Sequence, residues 1–80
     1  MQIHLKFYGE IADIMETSEQ TISINSKKYT ITQLKNKLFS SSEKLQSMEV
    51  KIAINNNLSE QTSELKNNDE VSFLPPFAGG

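Results

Sequence analysis

Glu70-Val71-Ser72-Phe73-Leu74-Pro75-Pro76-Phe77-Ala78-Gly79-Gly80 passes within a few residues from an alternating apolar strand to a proline-rooted arm. Val71 and Phe73 share one face of the strand, so Leu74 falls on the other. Pro75 and Pro76 have no amide donors and a fixed φ, so sheet pairing must stop there. A Pro-Pro step also favours a stiff, extended polyproline backbone. The six residues from Pro75 to Gly80 can reach about 20 Å beyond the sheet. Gly79 and Gly80 add no side-chain bulk and permit close backbone approach in a narrow channel. The predicted division is a folded domain over residues 1–74 and an extended arm over 75–80. A frayed tail is the bland alternative. A stiffened root directly after a core strand, and a sequence that stops at the second glycine, weigh against it.

Upstream, the chain supplies what such a strand needs to pair with. Ile3, Leu5 and Phe7 alternate with His4 and Lys6 and predict a half-buried strand. Ile11, Ile14 and Met15 then follow at helical spacing, with Glu10 near the positive end of the helix dipole. Thr21 to Ile24 alternate again. Asn25-Ser26-Lys27-Lys28 reads as a polar turn, and Thr30 with Gln33 spells a capping box, with Tyr29 placed to staple onto Leu34. Ile31, Leu34 and Leu38 line one face of that helix, which Ser40-Ser41-Ser42 should end. Glu43 to Glu49 is ambiguous, with at most a helical turn holding Leu45 and Met48. Val50, Ile52 and Ile54 alternate with Lys51 and Ala53 in a third strand. Asn55-Asn56-Asn57 is a turn, Leu58 opens a short strand or loop, and Asn67-Asn68-Asp69 is a turn in which Asn68 suits the left-handed region.

The expected fold is therefore α+β: one mixed sheet with the capped helix across one face. Its core should comprise Ile3, Leu5, Phe7, Ile22, Ile24, Leu34, Leu38, Ile52, Ile54, Val71 and Phe73.

Composition narrows the function. Eighty residues make one domain, with a modest core and no deep internal pocket. The absence of cysteine excludes disulfides, thiolate metal sites and cysteine nucleophiles, so any sulfur handled here is not a cysteine persulfide. All basic residues are lysines and the net charge is -2, which argues against nucleic-acid binding and suits a basic protein partner better. No apolar run is long enough to span a bilayer and no signal-peptide pattern opens the chain, so no membrane association and a cytoplasmic location are expected. Neither a phosphate-cradling glycine loop nor a Ser/His/Asp constellation is evident. His4 falls at an outward strand phase and reads as a solvated surface residue.

The run Val71 to Gly80 resembles the end of MoaD-type proteins, the small subunits of molybdopterin synthase. The Asn67-Asn68-Asp69-Glu70 turn is similar to that family's Asp-Gly-Asp-Glu turn, with Asn68 where glycine is frequent. The opening strand and its immediate short helix, Phe7 to Met15, also match, although Ala12 stands where many members carry arginine. Nothing transfers to the stretch between Phe39 and Val50. The resemblance implies the β-grasp fold shared with ubiquitin. It further implies that Gly80 is the reactive residue, its C-terminal carboxylate becoming an adenylate and then a thiocarboxylate, with Gly79 giving access. An E1-like activating enzyme would use ATP and Mg²⁺, a sulfur donor protein would supply sulfur, and the large synthase subunit would receive the arm, in a heterotetramer of two small and two large subunits. The chain itself would bind no cofactor or metal and supply no acid or base.

The docking surface can be argued from strand phase. Tyr8, Leu58 and Leu74 fall outside the core pattern, and with Pro75, Pro76, Phe77 and Ala78 they are the candidate partner-binding residues. Scattered surface apolar residues are the alternative. Rival functions are a carrier in the thiamine pathway or in tRNA thiolation, a ubiquitin-like modifier, and a β-grasp binding module with an inert tail.

Overall fold

The computed structural model describes residues 1–58 and 63–76. In chain order its elements are β1 (Gln2–Phe7), α1 (Gly9–Met15), β2 (Glu19–Ser23), α2 (Ile31–Phe39), α3 (Glu43–Ser47), β3 (Lys51–Ile54), β4 (Asn57–Leu58) and β5 (Glu70–Leu74). Among the described residues the strands form one sheet in the order β2-β1-β5-β3-β4. β1 and β5 run parallel at its centre, and the other pairs are antiparallel.

Register sorts the side chains onto two faces. Leu5 pairs with Val71 and Phe7 with Phe73; Ile52 pairs with Phe73 and Ile54 with Val71. These residues make the covered face. Onto it pack Ile11 of α1, Ile31, Leu34 and Phe39 of α2, Leu45 of α3 and Leu65, all buried. The other face carries His4, Lys6, Ser72, Leu74, Lys51 and Leu58, and among the described residues no helix packs across it.

Local chemistry builds these elements as their residues suggest. At the start of α2 the Gln33 amide donates to the Thr30 hydroxyl, and the Thr30 amide donates to the Gln33 carboxamide oxygen at 2.9 Å. The capping box is thus closed from both sides. Tyr29 packs against the core margin. The three serines end one helix and begin the next: the Ser40 hydroxyl donates to the Lys37 carbonyl at 3.0 Å, while Ser42 caps α3 by accepting from the Leu45 amide at 3.2 Å. Gln46 turns back and donates to the Phe39 and Ser40 carbonyls at 2.9 and 3.1 Å, satisfying acceptors that a helix end leaves open. Asn55 and Asn56 both have positive φ, 51° and 71°, as a tight hairpin turn between β3 and β4 demands. Asn68 takes φ 69° in the turn before β5.

Several expectations need correction. Ile22, Leu38 and Ile54 are half-buried at the core margin: Ile22 lies on the edge strand β2, and Ile54 is the last residue of β3 before its turn. β2 begins at Glu19 and ends at Ser23, so Ile24 is buried just beyond the strand. Ala53 is buried although its phase is outward, because its methyl lies between Ser72 and Leu58 of the flanking strands. The ambiguous segment is a capped helix whose Leu45 is fully buried. Ile11, Ile31, Phe39 and Leu65 also join the core beyond the expected set.

Candidate functional site

Gly80, Gly79, Ala78 and Phe77 lie outside the described residues. The structure does describe the root from which the arm starts. Leu74 closes β5 at the centre of the sheet, followed by a half-buried Pro75 and an exposed Pro76.

β1 ends beside that root. Phe7 pairs with Phe73, and the Tyr8 amide donates to the Phe73 carbonyl at 3.2 Å. In a parallel ladder the matching bond would run from residue 75 back to the Tyr8 carbonyl. Pro75 has no N–H to make it. The Tyr8 carbonyl instead accepts from the Ile11 amide at 3.2 Å, the first turn of α1. One proline thus ends the central ladder and frees the acceptor that starts the adjoining helix. Between the two, Gly9 turns the chain with φ 56°, and a Cβ there would stand 3.0 Å from Pro75 Cγ and 3.8 Å from Cδ.

Of the expected docking residues, Tyr8 is 44% exposed and extended at φ -123°, ψ 151°. It therefore continues the alternation of β1 and lies alongside the half-buried Leu74. Leu58, 73% exposed, shares the open face but stands farther away, at the end of the row Lys6, Ser72, Ala53, Leu58. Strand phase places all three on one face and brings two of them together. Ser72 and Ala53, between Lys6 and Leu58, are each 6% exposed. They make a flat floor that the sequence reading did not single out, although two small residues at outward phases of central strands are its signal.

This face carries an ion pair in addition to the exposed Lys51. Lys6 Nζ lies 3.0 Å from Glu70 Oε1. The hydrogen bond to Glu70 and that carboxylate's charge hold the Lys6 pKa above the usual lysine value. His4 Nδ1 is 3.2 Å from Thr21 Oγ1, a surface contact across β1 and β2. Among the described residues no group of three or more His, Asp or Glu side chains is placed to hold a metal ion, and no helix is long and apolar enough to cross a membrane.

A mixed sheet with parallel central strands, a helix packed across one face and a chain leaving from the central strand defines a ubiquitin-like β-grasp domain. Residues 5–80 match the ThiS family, and the chain belongs to that family. Solved structures share the fold. Molybdopterin converting factor subunit 1 from Pyrococcus furiosus superposes with a TM-score of 0.84 at 20% identity, over 96% of this chain and 99% of that one. The small archaeal modifier protein SAMP1 from Haloferax volcanii gives 0.82 at 14% identity, over all of both chains. A chain of the complex of subunits 1 and 2 of molybdopterin-converting factor from Helicobacter pylori gives 0.67 at 25% identity, again over all of both chains. Comparison with curated proteins gives no match.

Proposed function

We propose that this chain is a sulfur carrier of molybdenum cofactor biosynthesis, working as the small subunit of molybdopterin synthase. The observation that carries the reading is the root of the arm: a central strand stopped at Leu74 by Pro75 and Pro76, with Gly79-Gly80 at the far end of the sequence. The match to the ThiS family runs through both glycines, and the likeness to subunit 1 in the H. pylori complex supports a large-subunit partner.

The chemistry follows from what a terminal carboxyl group is. It is ionised at neutral pH, with an ordinary pKa of about 3.3–3.7, and a carboxylate is a poor acyl electrophile. A carboxylate oxygen of Gly80 first attacks the α-phosphorus of ATP on the activating enzyme, with pyrophosphate leaving. A sulfur nucleophile then displaces AMP at the acyl carbon, and the terminus becomes a thiocarboxylate. Delivered into the large subunit, that sulfur attacks cyclic pyranopterin monophosphate, and hydrolysis returns the carboxylate to the carrier. Two such deliveries make a dithiolene. The chain's own parts in this are reach, from the proline-rooted arm, and docking, from Tyr8, Leu74 and Leu58 on the open face.

A second reading, a ubiquitin-like modifier, is favoured by the likeness to SAMP1. The thiamine-pathway alternative is less favoured because α1 follows β1 directly. Intact mass after incubation with activating enzyme, ATP and a sulfur source decides the class, the carrier reading requiring exchange of one terminal oxygen for sulfur. Transfer from the thiolated chain to the pterin precursor, with the large subunit present, decides the pathway. A chain with one residue added after Gly80 that still supports molybdopterin synthesis would sink the proposal.

A further inference from the structure

We infer that Gly9 is a positioning residue for the arm: Pro75 rests on its bare Cα, and this contact sets the direction in which the arm leaves the sheet. The functional consequence rests on the sulfur-carrier reading; the contact and the heading do not.

Pro75 cannot hold the sheet by its backbone nitrogen, so the ladder that aligns Leu74 gives no bond to the next residue. Packing takes over that task. The half-buried Pro75 ring lies against the junction of β1 and α1, and the residue it meets has no side chain. A Cβ on Gly9 would come within 3.0 Å of Pro75 Cγ, well inside the roughly 3.5–4.0 Å optimum for two carbons. To admit a Cβ the contact must open by a few tenths of an ångström. The proline ring fixes its own φ. Gly9 is flanked by Tyr8, bonded to Phe73 and Ile11, and by the first turn of α1. The backbone freedom nearest to the contact is rotation about the Leu74–Pro75 junction, which re-aims everything beyond it. A free chain whose arm is aimed elsewhere must be re-aimed on binding, so its apparent affinity for a partner falls with the fraction correctly aimed.

Gly9 also has φ 56°, so alanine there would be strained as well as crowded. Asparagine tolerates that backbone region yet still carries a Cβ, which separates the two effects. The test uses Gly9→Ala, Gly9→Asn, Pro75→Ala and the Gly9→Ala/Pro75→Ala double variant of the full chain. The first readout is the Cα–Hα residual dipolar coupling of residue 75, fitted with the alignment tensor of the sheet. In the parent chain it should fit. In both Gly9 variants with Pro75 present it should depart, while the couplings of β1 and β5 stay in place. The second readout is thiolation kinetics. In both single Gly9 variants the KM of the activating enzyme for the carrier should rise about tenfold, with kcat changed much less. Adding Gly9→Ala to Pro75→Ala should change KM by less than about twofold, since the contact is already gone.

An unaltered residue 75 coupling in Gly9→Asn, or an equal KM effect of Gly9→Ala in both backgrounds, overturns the inference. A parent chain that is never thiolated overturns the carrier reading alone, and the couplings still decide whether Gly9 seats the arm.

Discussion

The rings of Phe7 and Phe73 stack with centroids 5.5 Å apart and planes 23° from parallel, on partner positions of the parallel pair β1 and β5. Phe39 of α2 tilts onto Phe73 at 5.7 Å and 52°. The same ring therefore joins the central strands to the covering helix, one residue before Leu74 and two before the arm. Phe73→Ala should destabilise the domain by about 3–5 kcal/mol, a large share of the stability of a small domain. Urea unfolding followed by circular dichroism measures it, and a loss below about 1 kcal/mol would contradict the packing role.

The capping box makes a smaller, cleaner claim. Thr30→Ala removes the hydroxyl that accepts from Gln33 and should cost about 1 kcal/mol. The urea midpoint should fall with an unchanged slope, because the surface exposed on unfolding stays the same. Thr30→Ser should recover most of the loss.

Leu74→Asp tests the open face as a docking surface. Leu74 is half-buried, at the edge of the arm's root and paired with Lys51, so the fold should survive. Binding to the large synthase subunit should weaken by roughly thirtyfold, or about 2 kcal/mol, the scale of a central apolar anchor. Titration calorimetry showing undiminished affinity would remove this face from the proposal.

The Lys6–Glu70 pair gives a pH dependence of known sign. Because Glu70 raises the Lys6 pKa above 10.5, the pair's contribution is fully present below the unfolded lysine pKa and is lost as pH rises through the raised folded value. It should be small and reduced by salt, since both side chains are about a third exposed, 38% and 33%. The Tm difference between the parent chain and Lys6→Met should therefore shrink between neutral and strongly alkaline buffer. A difference that grows across that range would contradict the assignment.

Strand phase and capping chemistry made most of this fold readable in advance. The alternation of Ile3, Leu5 and Phe7 and the Thr30–Gln33 box are local signals, and they survive into the structure unchanged. What escaped depends on neighbours distant in sequence. Leu45 has no periodic partners in its short segment, yet is fully buried, because α3 packs against α2. Ala53 has an outward phase and is covered only because β4 and β5 flank it. Leu65 is buried where the backbone of Ser63 to Leu65 lies along the start of α2, with the Ile31 amide donating to the Ser63 carbonyl at 3.0 Å and the Leu65 amide donating to the Tyr29 carbonyl at 2.7 Å. At the candidate site, the face of Leu74 followed from alternation alone. The seat at Gly9 did not, since it needs β1 and β5 side by side.

The central pairing has a consequence for assembly. His4 finds its partner in Glu70, across nearly the length of the chain, and β5 is the keystone that joins β2-β1 to β3-β4. Without it the sheet falls into two separate hairpins, neither wide enough to stand alone. Folding therefore waits on synthesis passing Leu74, and a nascent chain cut short of that strand is left as an unfolded peptide.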